Sequence, residues 1–309
     1  MSALLDVIIP VFLIIGFGYC AVWTRLFSIN TINGLMKFSQ NFAIPVLLFN
    51  AIAKVDLANV FDFNLFLSFY VGATTGFLLG FFGSHYLFNR PVEDAVVIGF
   101  CCLFSNTVML GLPITERAYG ESALQHNFAI VSIHAPFCYF LGITLMEIVK
   151  SSEKSIRKKS LVVLKAMFSN ALVVGIVFGF FVNFCGIILA QSIQASVDMV
   201  TAVALPTALF GMGGILYQYR PAGDIGPILM ICTISLLIHP AIVWLTGSNL
   251  ELSDMQLRSA VITAAMAPGI NTYVFANMYG KAKRIASTGV LLSTALSIGT
   301  VWLWLNLLA

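Results

Sequence analysis

Ser105-Asn106-Thr107-Val108-Met109-Leu110-Gly111-Leu112-Pro113 and Ala267-Pro268-Gly269-Ile270-Asn271-Thr272 are the two stretches that decide how this chain is read. Each lies inside an apolar run long enough to cross a bilayer. Each combines Pro, Gly and an Asn-Thr pair, residues that interrupt a helix and then offer polar groups. Hydrocarbon satisfies no backbone N–H or C=O. A break at membrane depth must therefore face protein or a water-filled cavity. Interruptions at corresponding places in the two halves of a membrane chain point to the binding site of a secondary transporter.

Composition sets the class. Hydrophobic residues make up 59% of the 309 residues and charged residues only 9%, with a mean hydropathy of +0.95. Soluble domains carry about a quarter charged residues, so this chain is read as an all-α, polytopic membrane protein with the lipid bilayer as its environment. Ten apolar segments fall at about 5–24, 34–53, 64–88, 95–115, 123–149, 165–188, 195–217, 227–246, 256–278 and 285–307. Each suits a helix of about 20 residues. The six cysteines (20, 101, 102, 138, 185 and 232) all lie in apolar stretches without metal-ligand spacing, as small packing residues do. The N-terminus carries Asp6 and no basic run, so it reads as a retained first span.

Charge orients the chain. The most polar run, Lys150 to Ser160, separates two halves of five segments. With that loop in the cytoplasm, thirteen of the sixteen Lys and Arg residues lie on its side; Lys54, Arg117 and Arg258 lie opposite. The positive-inside rule then predicts a cytoplasmic 150–160 loop, extracytoplasmic termini and a place in the cell membrane. The halves also echo each other. Ile44-Pro45 matches Leu205-Pro206, Asn106-Thr107 matches Asn271-Thr272, and Tyr119-Gly120 matches Tyr279-Gly280, at separations of 161, 165 and 160 residues. Five is odd, so the second half enters the membrane upside down. The expected domains are a first repeat at 1–149, a linker at 150–164 and a second, inverted repeat at 165–309. The broken segments 4 and 9 then cross near mid-membrane, as in the sodium/bile-acid-symporter-like or NhaA-like fold.

At such a crossing, half-helix N-termini present unpaired N–H groups and partial positive charge. That favours a carboxylate or another small anion. Asn106, Thr107, Asn271 and Thr272 are the expected substrate contacts, and Ser105, Gly111, Pro113, Pro268 and Gly269 the expected shapers of the backbone. His134 in segment 5 is a further candidate, as an anion partner or proton carrier; a bond to a neighbouring carbonyl is the structural alternative. His239 is a similar, weaker case, and His85 and His126 fall near segment ends. Asn50 follows Pro45, so segment 2 either lines the substrate path or is simply kinked. No Asp or Glu sits at the centre of a segment. Coupling to Na+ or H+ stays open, and no cofactor, resident metal or nucleic acid is expected. Signature motifs of membrane or soluble enzymes are missing, so the chain is not read as an enzyme.

These residues resemble the auxin efflux carrier family, which includes plant PIN-type exporters and bacterial relatives called malonate or dicarboxylate permeases. The similarity is specific at Asn106 to Pro113 with Tyr119-Gly120, and at Gly269 to Ala276 with Tyr279. It extends to Tyr139–Glu147 and, in topology, to the whole chain. Where this family usually has Pro before the first Asn, this chain has Ser105; where it has apolar residues and a second Pro, this chain has Asn271 and Thr272. The resemblance implies a scaffold of segments 1, 2, 6 and 7 that forms a homodimer. It also implies a mobile unit of segments 3–5 and 8–10 that moves elevator-fashion. The resulting expectation is a secondary transporter of a small organic anion. A sodium-coupled bile-acid-type symporter, or a ligand-binding membrane sensor that moves nothing, is the alternative.

Overall fold

The computed structural model describes residues 4–150, 171–219 and 221–309. Residues 151–164 of the expected linker, the first six residues of the second repeat, and the cations Lys154, Arg157, Lys158, Lys159, Lys165 and Arg220 lie outside the described residues. Among the described residues every regular element is helical. The helices are α1 (Asp6–Trp23), α2 (Ile29–Lys54) and α3 (Phe63–Leu87), then α4 (Val92–Leu103) and α5 (Leu112–Tyr119). There follow α6 (Glu121–Val149), α7 (Ala171–Phe184), α8 (Gln191–Gln218) and α9 (Ile225–Asn249). The last three are α10 (Asp254–Ala264), α11 (Ile270–Tyr279) and α12 (Lys283–Leu307). Seven of these, namely α1, α2, α3, α6, α8, α9 and α12, are long and apolar enough to span a bilayer unaided. Large apolar side chains such as Phe17, Trp23, Phe178 and Ile188 are exposed on the outside, the arrangement of a protein solvated by lipid. The molecule is thus a multi-pass, all-helical membrane protein.

Proline placement explains much of the local shape. Pro10, Pro45, Pro113 and Pro240 each occupy the second position of an α-helical stretch that directly follows a five-residue π-helical turn. A proline inside a helix removes one donor and drives its ring toward the carbonyl four residues back. A wider turn just before it relieves that clash. Helix thus continues through each of these prolines.

The helices gather into two groups. In one, α1 packs along α8, and α2 packs along α7. Small residues allow these close crossings: a Cβ at Gly18 would overlap the Phe210 carbonyl oxygen, one at Gly213 the Ile15 carbonyl oxygen, and one at Gly175 the Pro45 carbonyl oxygen. Such small-residue contacts bring membrane helices to van der Waals distance. The other group contains α3 to α6 and α9 to α12, with α3 against α4 and α9, and α12 against α9 and α11. Polar ties hold this group at both ends. Buried Asn127 of α6 donates to Thr115 Oγ1 of α5 at 3.2 Å and to Thr263 Oγ1 of α10 at 2.6 Å. At the far end Arg90 pairs with Asp224, and Lys281 with Glu93 at 3.2 Å. The Lys281 ammonium, donating to the Glu93 carboxylate, holds that carboxyl below its ordinary range.

Candidate substrate site at the crossover

Both expected breaks exist, and they meet. Residues 104–106, between α4 and the π turn Thr107–Gly111, run antiparallel to residues 267–269, between α10 and α11, with Ser105 bridged to Pro268. The Asn106 N–H donates to the Ala267 carbonyl at 2.9 Å, and the Gly269 N–H donates to the Phe104 carbonyl at 3.0 Å. Two interrupted helices thus satisfy each other's orphaned groups, which the hydrocarbon could not do. The two bonds flank the Ser105–Pro268 pair. A backbone donor at either of those positions would point away from the ladder, so Pro268 costs the crossing no donor.

That geometry yields a paired expectation. Ser105→Pro should change stability by less than about 1 kcal/mol, a few degrees in melting temperature. Gly269 has φ −71° and ψ 160°, angles a proline also adopts. Gly269→Pro nevertheless deletes a ladder donor and pushes its ring at the Phe104 carbonyl, and should cost about 2 kcal/mol or more. Gly269→Ala is the control, since its Cβ would sit 3.5 Å from the Phe104 ring. Melting curves of the three purified variants read the difference; equal losses in the two proline variants would contradict this pairing.

The second half-helices start at the crossing. Asn106 caps the π turn: its Oδ1 accepts from the Met109 N–H at 3.3 Å, while its Nδ2 reaches only the Met212 thioether at 3.3 Å. A thioether is a weak acceptor, so this buried amide donor is poorly matched. In α11, Gly269 is the cap and Ile270 and Asn271 are the first two helical residues, whose N–H groups have no intrahelical acceptor. The two Asn-Thr pairs are therefore not structural equivalents. Asn106 stands before its helix, whereas Asn271 stands inside one. The two second half-helices end alike, at Gly120 with φ 84° and Gly280 with φ 70°, backbone angles that favour glycine.

A cavity of about 240 Å3 opens where these N-termini meet the α2/α7 wall. Asn106, Thr107, Asn271 and His134 all line it, together with Gly269. It also exposes two polar residues absent from the expected site, Gln40 and Asn41 of α2. Adjacent amides just ahead of Pro45 in an apolar run are a usable signal for them. His134 is buried, with the Phe104 ring 5.0 Å and the Phe69 ring 5.5 Å away and Cys138 Sγ at 3.7 Å. The Ser105 carbonyl is its polar neighbour from the crossing.

Four expected site residues lie elsewhere. The Thr272 side chain is fully buried and its hydroxyl donates to the Gly269 carbonyl at 2.8 Å, so it braces the cap and does not line the cavity. Asn50 belongs to a separate polar cluster. Its Nδ2 donates to Asp198 Oδ1 at 3.0 Å, and its Oδ1 accepts from Gln194 at 2.9 Å. Lys54 pairs with the same Asp198 at 3.3 Å. That cluster borders a second cavity of about 1050 Å3, shared with Glu116 and Arg117. Pro113 also lines that larger cavity. Gly111 has ordinary helical angles and space for a Cβ, whose nearest neighbours would be 3.6 Å away. The first break is therefore made at Phe104–Asn106, ahead of Gly111 and Pro113. The larger cavity carries charges of both signs and lies away from the crossing. The smaller one is where half-helix N-termini and side-chain amides converge.

The chain is similar in sequence to known membrane transport proteins. The family described as "Membrane transport protein" matches residues 3–305. A Rhizobium meliloti protein named "Putative malonate transporter" is 23% identical over 97% of this chain and 94% of its own length. Auxin efflux carrier component 8 of Arabidopsis thaliana is 22% identical over 94% of both chains. The uncharacterized transporter YfdV of Escherichia coli K12 is 22% identical over 96% of this chain and 95% of its own.

Proposed function

The chain belongs to the membrane transport protein family that holds the auxin efflux carriers, and from that premise we propose that it is a secondary transporter of a small organic anion. The observation that carries the reading is the convergence of two half-helix N-termini, Asn106 and Asn271 on one cavity of about 240 Å3. Half-helix ends with about half a positive charge each suit a carboxylate. The volume is below the roughly 300–1,000 Å3 of drug-sized sites, which favours a short dicarboxylate of the malonate kind.

In the same reading α4 and α5 form one interrupted span, α10 and α11 another, and the other eight helices complete ten. The α1/α8 crossing answers the α2/α7 crossing as an inverted repeat requires. The 150–160 loop is cytoplasmic and both termini face outward. The group α3–α6 with α9–α12 carries the crossover, and α2 and α7 of the group α1, α2, α7 and α8 supply the opposite wall. Sliding the first group along the second would expose the cavity to each side in turn, an elevator-type alternating access. The second group would also form the homodimer contact.

A thermal-shift screen tests substrate class and coupling together. Purified protein is heated with C3 to C6 mono- and dicarboxylates and with indole-3-acetate, with and without sodium. A ligand at 100 times its Kd stabilises by about 2.7 kcal/mol. Stabilisation by short carboxylates alone, in the absence of sodium, is expected. A sodium requirement would favour the symporter alternative, and no response to any carboxylate would remove the anion reading.

A further inference from the structure

Among the described residues, His134 is the only ionisable side chain that lines the crossover cavity. The rest of the lining is amide, hydroxyl or apolar. Anion entry into such a site forfeits hydration, at an effective cost of several kcal/mol per charge. Two half-helix N-termini offer about one positive charge between them, half of what a dicarboxylate carries. We propose that the substrate anion and one proton bind together, with the proton on the His134 imidazole. This inference rests on the crossover being the organic-anion site.

The surroundings of His134 leave the anion as its natural counter-charge. The groups facing it are Phe69 and Tyr70 of α3, Phe104 and the Ser105 carbonyl of the crossing, and Cys138 on its own helix. None of these groups is a carboxylate, and none is Lys or Arg. The Tyr70 hydroxyl is engaged as donor to the Ile130 carbonyl at 3.1 Å. The other nearby imidazole, His239 of α9, sits behind Phe69, whose ring centroid lies 5.5 Å from each imidazole. His239 does not line the cavity. An imidazolium at position 134 therefore gains a counter-charge only when a carboxylate occupies the cavity, and the carboxylate gains its missing charge from the same event. The pairing favours the protonated form in the complex, so affinity is full at low pH and declines as pH rises.

The test is malonate titration calorimetry on the purified protein between pH 5.5 and 8, in buffers of different ionisation enthalpy. The parent should take up about one proton per malonate. Its Kd should rise about tenfold per pH unit wherever the free protein is deprotonated and the complex protonated. His134→Gln should bind more weakly, with no proton uptake by the protein and a flat pH profile. His239→Gln should keep both the uptake and the slope. Proton uptake that persists in His134→Gln places the proton on the ligand or another group and overturns the proposal. So does pH-independent binding by the parent, and that result leaves the crossover site standing as long as Asn106→Asp abolishes binding. Malonate binding that survives Asn106→Asp overturns the site itself, and the proton proposal with it.

Discussion

Asn106→Asp should leave a folded protein that no longer binds a carboxylate. The side-chain oxygen that caps the Met109 N–H is kept, and a carboxylate at a helix N-terminus is itself favourable. What changes is the face toward the cavity, where an amide donor that now meets only the Met212 sulfur is replaced by a negative charge. A hydrogen bond to a charged ligand contributes about 1.5–3 kcal/mol. Its loss plus like-charge repulsion should raise the malonate Kd at least a hundredfold. Asn106→Ala separates the terms: it forfeits the cap, about 1 kcal/mol of stability, and weakens binding about ten- to a hundredfold without repulsion. Equilibrium binding and melting curves on the same preparations distinguish the two variants. Asn106→Asp that binds like the parent would move the substrate away from this crossing.

The second large effect concerns the fold. Gly213→Ala should destabilise by about 3 kcal/mol or more, although alanine is intrinsically better than glycine in a helix by about 1 kcal/mol. The new Cβ would overlap the Ile15 carbonyl oxygen and lie 2.9 Å from the Tyr19 nitrogen. Both are backbone atoms of α1, which no rotamer change can move. The helices must separate along their whole crossing, beyond the 1–3 kcal/mol usual for overpacking. Gly16, also on α1, has open space where a Cβ would stand, with nothing within 4 Å, and Gly16→Ala should be neutral or slightly stabilising. A large fall in melting temperature for Gly213→Ala and none for Gly16→Ala is expected; equal falls would refute the close α1/α8 approach.

What the sequence makes legible depends on whether a residue marks the backbone or only a face. Pro268-Gly269 marks the second break, because a missing donor and a permissive angle act where they stand. In the first half the visible markers, Gly111 and Pro113, mislead by several residues. A π turn absorbs Pro113, and the chain opens at Phe104–Asn106, where the only local signal is Asn106 as a cap. Faces are harder. A polar residue in a membrane helix can meet the crossing or a neighbouring helix, and composition alone does not say which. Asn50 therefore reads as a candidate for a cavity it does not reach, while Gln40 and Asn41, which do reach it, escape notice. Thr272 shows the finer limit. One position beyond Asn271, its hydroxyl turns back to the Gly269 carbonyl, a local bond Thr commonly makes near helix starts.

The central claim is that the crossing of residues 104–106 with 267–269 holds the transported anion. Its most direct test is counterflow of radiolabelled malonate into proteoliposomes preloaded with unlabelled malonate, comparing the parent with Asn106→Asp at matched incorporation. The account predicts saturable accumulation by the parent and background accumulation by the variant. Undiminished counterflow in Asn106→Asp, or none by a folded parent that binds malonate, would contradict it.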